Sequence, residues 1–210
     1  MIQTKDELRE CLDKDEVSYR RVVFQSFSFK NIFHVLRARY LTTPISDQYI
    51  IWKFIKTLRK VEYYSNNRSV YTAPLLFYYV RKYLKLGRIT GFQIPINTID
   101  KGLTIWHYGT IIINQDSIIG KNCTLRPDIV IGHKDGESES PIIGDYVEIN
   151  SGARIIGGIH VGDDVIIAPN AVVTRDIPSH SIVAGIPARI IKTRTKREED
   201  WKSLIKNQDK

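Results

Sequence analysis

The sequence has only two cysteines, Cys11 and Cys123, too few for a disulfide framework or a cysteine zinc site, and both read as structural thiols. No run approaches the ~18 apolar residues that a membrane span needs, which excludes a spanning helix. The opening residues, MIQTKDELRECLDKDE, are charged at once and lack a signal-peptide apolar stretch, so a cytoplasmic location is expected. What is present is enough for a core. Hydrophobic residues make up 42% of the 210 and charged ones 26%, which excludes wholesale disorder and suits one compact domain, or one domain with a smaller appendage.

Positive charge is plentiful but unevenly placed. Residues 1–90 hold 17 Lys and Arg against 8 Asp and Glu, whereas residues 91–188 hold 6 against 11 and residues 189–210 hold 8 against 4. An acidic middle argues against a nucleic-acid groove along the main domain. Basic arms fit a nucleotide phosphate, a membrane surface or an acidic glycan better, and many of these charges are simply solvated helix faces.

The chain changes pattern near residue 90. Residues 4–86 read as helical. Thr4 and Glu7 have capping-box spacing ahead of Leu8 and Leu12. Ser46 and Asp47 start a helix whose apolar face is Ile50, Ile51, Phe54, Ile55 and Leu58. Thr72 and Pro74 start another, and Gly87 is placed to stop it. The stretch 22–41 is also expected to be helical.

Beyond Gly91 a six-residue period takes over. Aliphatic residues stand at Ile113, Ile119, Leu125 and Ile131, then at Ile143, Ile149, Ile155, Val161, Ile167 and Val173. A small residue or Asn often follows, as in Ile119-Gly120 and Ile149-Asn150, and is expected to let the backbone turn. A fixed short period is the signature of a solenoid, and a parallel β-helix explains it, each aliphatic entering a narrow core at the same corner of every coil. Two breaks interrupt the period. The step from Ile105 to Ile113 is eight, with the extra pair inside Trp106-His107-Tyr108-Gly109-Thr110. The stretch from Gly132 to Pro141 has no aliphatic and is expected to protrude as a loop. Polar loops on a rigid scaffold are common carriers of sites.

GLTIWHYGTIIIN, IIGKNCTL and the closing VVTRDIP and AGIPARI resemble the hexapeptide-repeat acyltransferases, and among them the serine acetyltransferases, over residues 91–192. The resemblance implies a left-handed parallel β-helix after an α-helical N-terminal region, mainly β overall. The domains are then 1–90 helical, 91–192 acyltransferase and 193–210 a basic C-terminal tail. It also implies acetyl-CoA as donor, no metal, a homotrimer or a multiple of it, and active sites between neighbouring subunits that take a small-molecule acceptor.

His107 stands at the family's catalytic histidine, where the lattice slips, so period and resemblance meet at one residue. Imidazole suits a general base for a hydroxyl because its unperturbed pKa is about 6.5. Trp106 replaces the aspartate that precedes this histidine in serine acetyltransferases, Ser140 stands before Pro141 where the family has a second histidine, and Gln93 occupies the first-coil position of a carboxylate. With His133 at the loop root, Trp106 and Ser140 are the expected acceptor contacts. Gly132, Ser151, Ala168 and Pro169 match positions along the cofactor, and Arg189 and Lys192 are placed to meet its phosphates.

The expected activity is acetyl-CoA-dependent O-acetyl transfer to L-serine or a related small molecule. An alternative is a sugar O- or N-acetyltransferase of surface polysaccharide biosynthesis. A zinc carbonic-anhydrase-like β-helix is a lesser one, suggested by His107, His133 and His160 at spacings of 26 and 27. His107 and His133 count to different corners of one subunit, and the paired histidines that such proteins carry on one coil are missing. His34 is read as a surface or core residue of the helical half, His160 as a wall position and His180 as part of the closing loop.

Overall fold

A computed structural model describes residues 1–19, 47–134 and 139–194. The helix expected over 22–41 and most of the basic tail lie outside the described residues.

Helix α1 spans Lys5–Glu16 and is capped as its sequence predicts. Thr4 Oγ1 accepts from the Glu7 amide at 3.1 Å, and the Glu7 carboxylate accepts from the amides of Gln3 and Thr4 at 2.7 and 3.1 Å. Those two amides hold the Glu7 carboxyl below its ordinary pKa. A 3-10 turn follows at Val17–Tyr19. Helix α2, Asp47–Asn66, buries Ile51, Phe54, Ile55 and Leu58. Helix α3, Ala73–Thr90, carries Pro74 in its first turn.

Gly87 does not stop α3. The helix runs through it and ends at Gly91, whose left-handed φ of 82° closes the last turn through an N–H donated to the Gly87 carbonyl. Gly87 is small for another reason: a Cβ there would stand 2.8 Å from the Phe92 carbonyl oxygen. Thr72 makes no side-chain cap, because its hydroxyl donates back to the Asn67 carbonyl at 3.0 Å.

From Phe92 onward short strands wind into a prism. Face one stacks β1 (Phe92–Gln93), β3 (Ile111–Ile113), β6 (Ile129–Gly132), β9 (Arg154–Ile156) and β12 (Val172–Val173). Face two stacks β4 (Ile118–Ile119), β7 (Ile142–Ile143) and β10 (His160–Val161). Face three stacks β2 (Thr104–Ile105), β5 (Thr124–Leu125), β8 (Glu148–Ile149) and β11 (Ile166–Ile167), then β13 (Ser181–Gly185) and β14 (Ala188–Thr193). All pairings are parallel except the closing β13–β14 hairpin. Ile113, Ile131, Ile155 and Val173 align on face one, Ile119, Ile143 and Val161 on face two, and Ile105, Leu125, Ile149, Ile167 and Val183 on face three, all buried. Each such side chain contributes about 1.5–3 kcal/mol when removed from water.

The small residue after an aliphatic serves close approach between coils rather than the turn itself. A Cβ on Gly120 would meet the Gly144 backbone at 2.7 Å, and one on Gly144 would meet the Gly162 backbone at 2.9 Å. The left-handed turn residue comes two positions later, at Asn122, Tyr146 and Asp164.

The helices are fastened to the first coil by a buried ionic cluster. Arg59, 1% exposed, donates to Asp15 at 2.8 Å, to Glu62 at 3.1 Å and to the carbonyls of Ile99 and Asp100 at 2.7 Å each. Asp15 in turn accepts from the amides of Gly102 and Leu103 at 2.6 and 2.9 Å, and Glu62 from that of Asn97 at 2.9 Å. Removing the cation strands two buried carboxylates, so Arg59→Ala is expected to cost about 3–5 kcal/mol, read as a lowered urea midpoint. Burial pushes the thiols of Cys11 and Cys123 up to about 12 each. Because the thiolate is the reactive form, neither cysteine is expected to be alkylated in the native protein at mildly alkaline pH, and both are expected to label in denaturant.

Candidate active site

The eight-residue step is a longer turn between face three and face one. Thr104–Ile105 pairs with Thr124–Leu125 and Ile111 pairs with Ile129, so residues 106–110 bridge a corner that residues 126–128 bridge one coil later. The two added residues push the corner outward, leaving Trp106 half-buried and His107 exposed. Tyr108 turns back onto the core. Its hydroxyl is buried without a hydrogen bond to the described residues, and burial, then the Asp47 charge, raises its pKa.

The backbone around His107 is held from the helical side. Tyr19 Oη accepts from the Ile105 amide at 2.6 Å and donates to the Ile105 carbonyl at 2.8 Å. Gly109 donates to the Thr90 carbonyl at 3.1 Å, and Ile111 to that of Gly91 at 3.2 Å. Gly109 has a φ of 140°, and a Cβ on it would lie 2.5 Å from Pro127 Cβ. Only glycine fits both the backbone and the space.

Turns from face three to face one recur at 126–128, 150–153 and 168–171, so Ser151, Ala168 and Pro169 follow His107 along one edge of the prism. Ser151 and Ala168 are half-buried and small, which keeps this edge low in relief, and Arg126 adds a cation that sequence reasoning missed. The residues present fit a long, flexible thioester donor with a phosphorylated end. Arg189 and Lys192 do not share this edge. They are exposed on β14, at the far end of face three.

The second break is on another edge, between faces one and two. Ile113↔Ile131 and Ile119↔Ile143 pair on either side of it, so the strands before and after the break keep one register. Gly132, His133 and Ser140 stand there with Asn114 of the preceding coil. Asn114 Nδ2 lies 2.8 Å from His133 Nδ1, and Asn114 Oδ1 accepts from the Ser140 hydroxyl at 3.2 Å and from the Asp116 amide at 2.9 Å. Asn114 was not singled out in the sequence, although it fills the place after an aliphatic where Asn recurs.

Within the chain, therefore, Trp106 and His107 share an edge with the cofactor candidates Ser151, Ala168 and Pro169, while Gly132, His133 and Ser140 occupy the next edge, across face one. Gln93 is exposed on face one, beside Ile112. His160 is exposed at the start of β10, and the His180 ring lies 3.1 Å from an Asp164 carboxylate that Arg194 also holds at 3.1 Å. Among the described residues no three His, Cys, Asp or Glu side chains converge as a metal site. No described helix is long and apolar enough to cross a membrane.

Comparison with known proteins agrees with this architecture. Residues 140–175 match the family model for the bacterial transferase hexapeptide (six repeats). A serine acetyltransferase of Staphylococcus aureus strain Mu50 is 38% identical over 106 residues, covering 49% of this chain and 50% of that protein. One of Helicobacter pylori strain J99 is 37% identical over 120 residues, covering 55% of this chain and 70% of that protein. The matched segment thus spans about half the length of the Staphylococcus relative and more than two thirds of the Helicobacter one.

Among solved structures, soybean serine acetyltransferase superposes with a TM-score of 0.63 at 20% identity, covering 89% of this chain and 70% of that one. The Brucella abortus enzyme in complex with coenzyme A also gives 0.63 at 20% identity, covering 91% and 70%. This likeness establishes the left-handed β-helix with N-terminal helices. With a prism of six-residue repeats, a lattice slip at His107 and a relative covered over 70% of its length, the chain belongs to the serine acetyltransferase family of hexapeptide-repeat transferases.

Proposed function

We propose that the protein transfers an acetyl group from acetyl-CoA to the hydroxyl of a small acceptor, L-serine in the first instance. The observation that carries this reading is His107, exposed at the slipped corner and followed along the same edge by small residues of later coils. Acetyl-CoA supplies an acyl group activated as a thioester. His107 takes the acceptor hydroxyl proton as that oxygen bonds to the carbonyl carbon, then returns it to the departing thiolate. Trp106 borders the acceptor, Ser151, Ala168 and Pro169 line the donor's path, and Arg126 offers its phosphates a charge-assisted hydrogen bond. The helical region 1–90 acts as a brace and residues 91–192 as the transferase body.

The separation of the two edges within one subunit supports a homotrimer in which the His107 edge of one copy meets the Gly132–Ser140 edge of the next. Light scattering at micromolar concentration is expected to give a trimer or a multiple of it, and a fully active monomer would contradict the shared site. A sugar hydroxyl is the second reading. It is favoured by the half-buried Trp106, an aromatic face suited to a sugar ring, and by the neutral Asn114 and Ser140 at the loop root.

Thiol release from acetyl-CoA with serine, homoserine and nucleotide sugars as acceptors separates these readings, and no turnover with any of them would overturn both. His107→Ala is expected to lower kcat by roughly 10²–10⁴ with little change in CoA affinity, because the imidazole acts on the acceptor. Ser151→Trp or Ala168→Trp is expected to weaken CoA binding while leaving the circular dichroism spectrum intact. Unchanged affinity in both would move the donor off this edge.

A further inference from the structure

The geometry points to Asn114 as a positioning residue that holds His133 in the Nε2–H tautomer, so that the loop root presents the acceptor with a fixed hydrogen-bond donor. The Asp116 backbone N–H can only donate, and it donates to Asn114 at 2.9 Å, so the amide atom it meets is the oxygen Oδ1. The Ser140 hydroxyl donates to the same oxygen at 3.2 Å. With Oδ1 assigned, Nδ2 is a donor wherever it points, and it points at His133 Nδ1, 2.8 Å away. Nδ1 must therefore offer its lone pair, and in a neutral ring the proton lies on Nε2.

That arrangement has a chemical consequence, which rests on the acetyl-transfer reading. An Nε2–H takes an oxygen lone pair, from a hydroxyl, carbonyl or carboxylate, and does not take an ammonium group. The acceptor accordingly places an oxygen at the loop root, while His107, on the other edge, is left as the only one of the two imidazoles suited to remove a proton. Among the described residues the charged side chains on the flanking segments are Asp116, Lys134 and Glu139, and no carboxylate forms an ion pair with His133. The tautomer is set by an amide rather than by a charge, which distinguishes this histidine from His180 beside Asp164.

Long-range ¹H–¹⁵N correlation on histidine-labelled protein at neutral pH tests this directly. The wild-type His133 is expected to show a protonated Nε2 and an unprotonated Nδ1, and the opposite pattern overturns the proposal whatever the enzyme turns over. Asn114→Asp keeps the acceptor oxygen for Asp116 and Ser140 but turns a second oxygen toward the ring, so Nδ1 is expected to become protonated and the KM for the acceptor to rise about tenfold, with the KM for acetyl-CoA unchanged. Ser140→Ala is expected to keep the wild-type tautomer, since the Asp116 amide still orients Asn114. An Asn114→Asp protein that turns over acetyl-CoA with wild-type KM values and an unchanged His133 spectrum removes Asn114 from this role while leaving the acetyl-transfer reading standing. Absent turnover in the wild type sinks that reading while the spectrum still decides the tautomer.

Discussion

A core one side chain deep behind each face governs the rest of this molecule. The prism has no room for a second layer, so every coil must return an aliphatic group to the same three places, and the backbones of successive coils must touch at the corners. Ile131 over Ile113 and Ile149 over Leu125 satisfy the first demand, and Gly120 against Gly144 the second. Residues can be added only where they bulge outward, because an insertion within a strand would turn its core side chain to solvent. Both insertions fall in corner turns, and the polar chemistry is at those turns.

The first corner is also where the helices act. Tyr19 Oη bonds both the amide and the carbonyl of Ile105, and the last turn of α3 receives the Gly109 amide, so the strand and turn on either side of His107 are anchored to the helical region. Arg59 supplies the same service for the stretch from Asn97 to Leu103, through Asp15 and Glu62. A buried ion pair of this kind contributes less to net stability than to a unique arrangement, since each partner is costly to desolvate and only one geometry satisfies all of them. The helical region is in this sense a brace for the corner that carries His107.

Much of this was legible in the sequence because it is periodic. The strand positions from Ile113 to Val173 follow from six-residue spacing alone, and His107 follows from a miscount in that spacing. The end of α3 was misjudged at Gly87 because a glycine that stops a helix and one that lets a strand pass close beside it look alike in one dimension. Asp15, Arg59 and Glu62 were equally hidden, since their partnership joins residues 44 positions apart and nothing in the local pattern distinguishes them from solvated charges. Asn114 escaped for a related reason. Its partners are an adjacent turn and a loop 26 residues on, brought together only when two coils stack.

On the proposed reading, the active site is assembled from two different edges, His107 from one subunit and the Gly132–Ser140 edge from its neighbour. Subunit mixing tests it most directly. A protein with His107→Ala and one with Gly132→Trp, whose new side chain would crowd the loop edge, are each expected to be strongly impaired alone. Gly132 tolerates a Cβ, the nearest atom being 3.8 Å away, so the block is local. Unfolded and refolded together, they are expected to regain acetyl transfer, because some interfaces then join an intact His107 edge to an intact loop edge. Mixed trimers that form but stay inactive would place the whole site within one subunit and contradict the account.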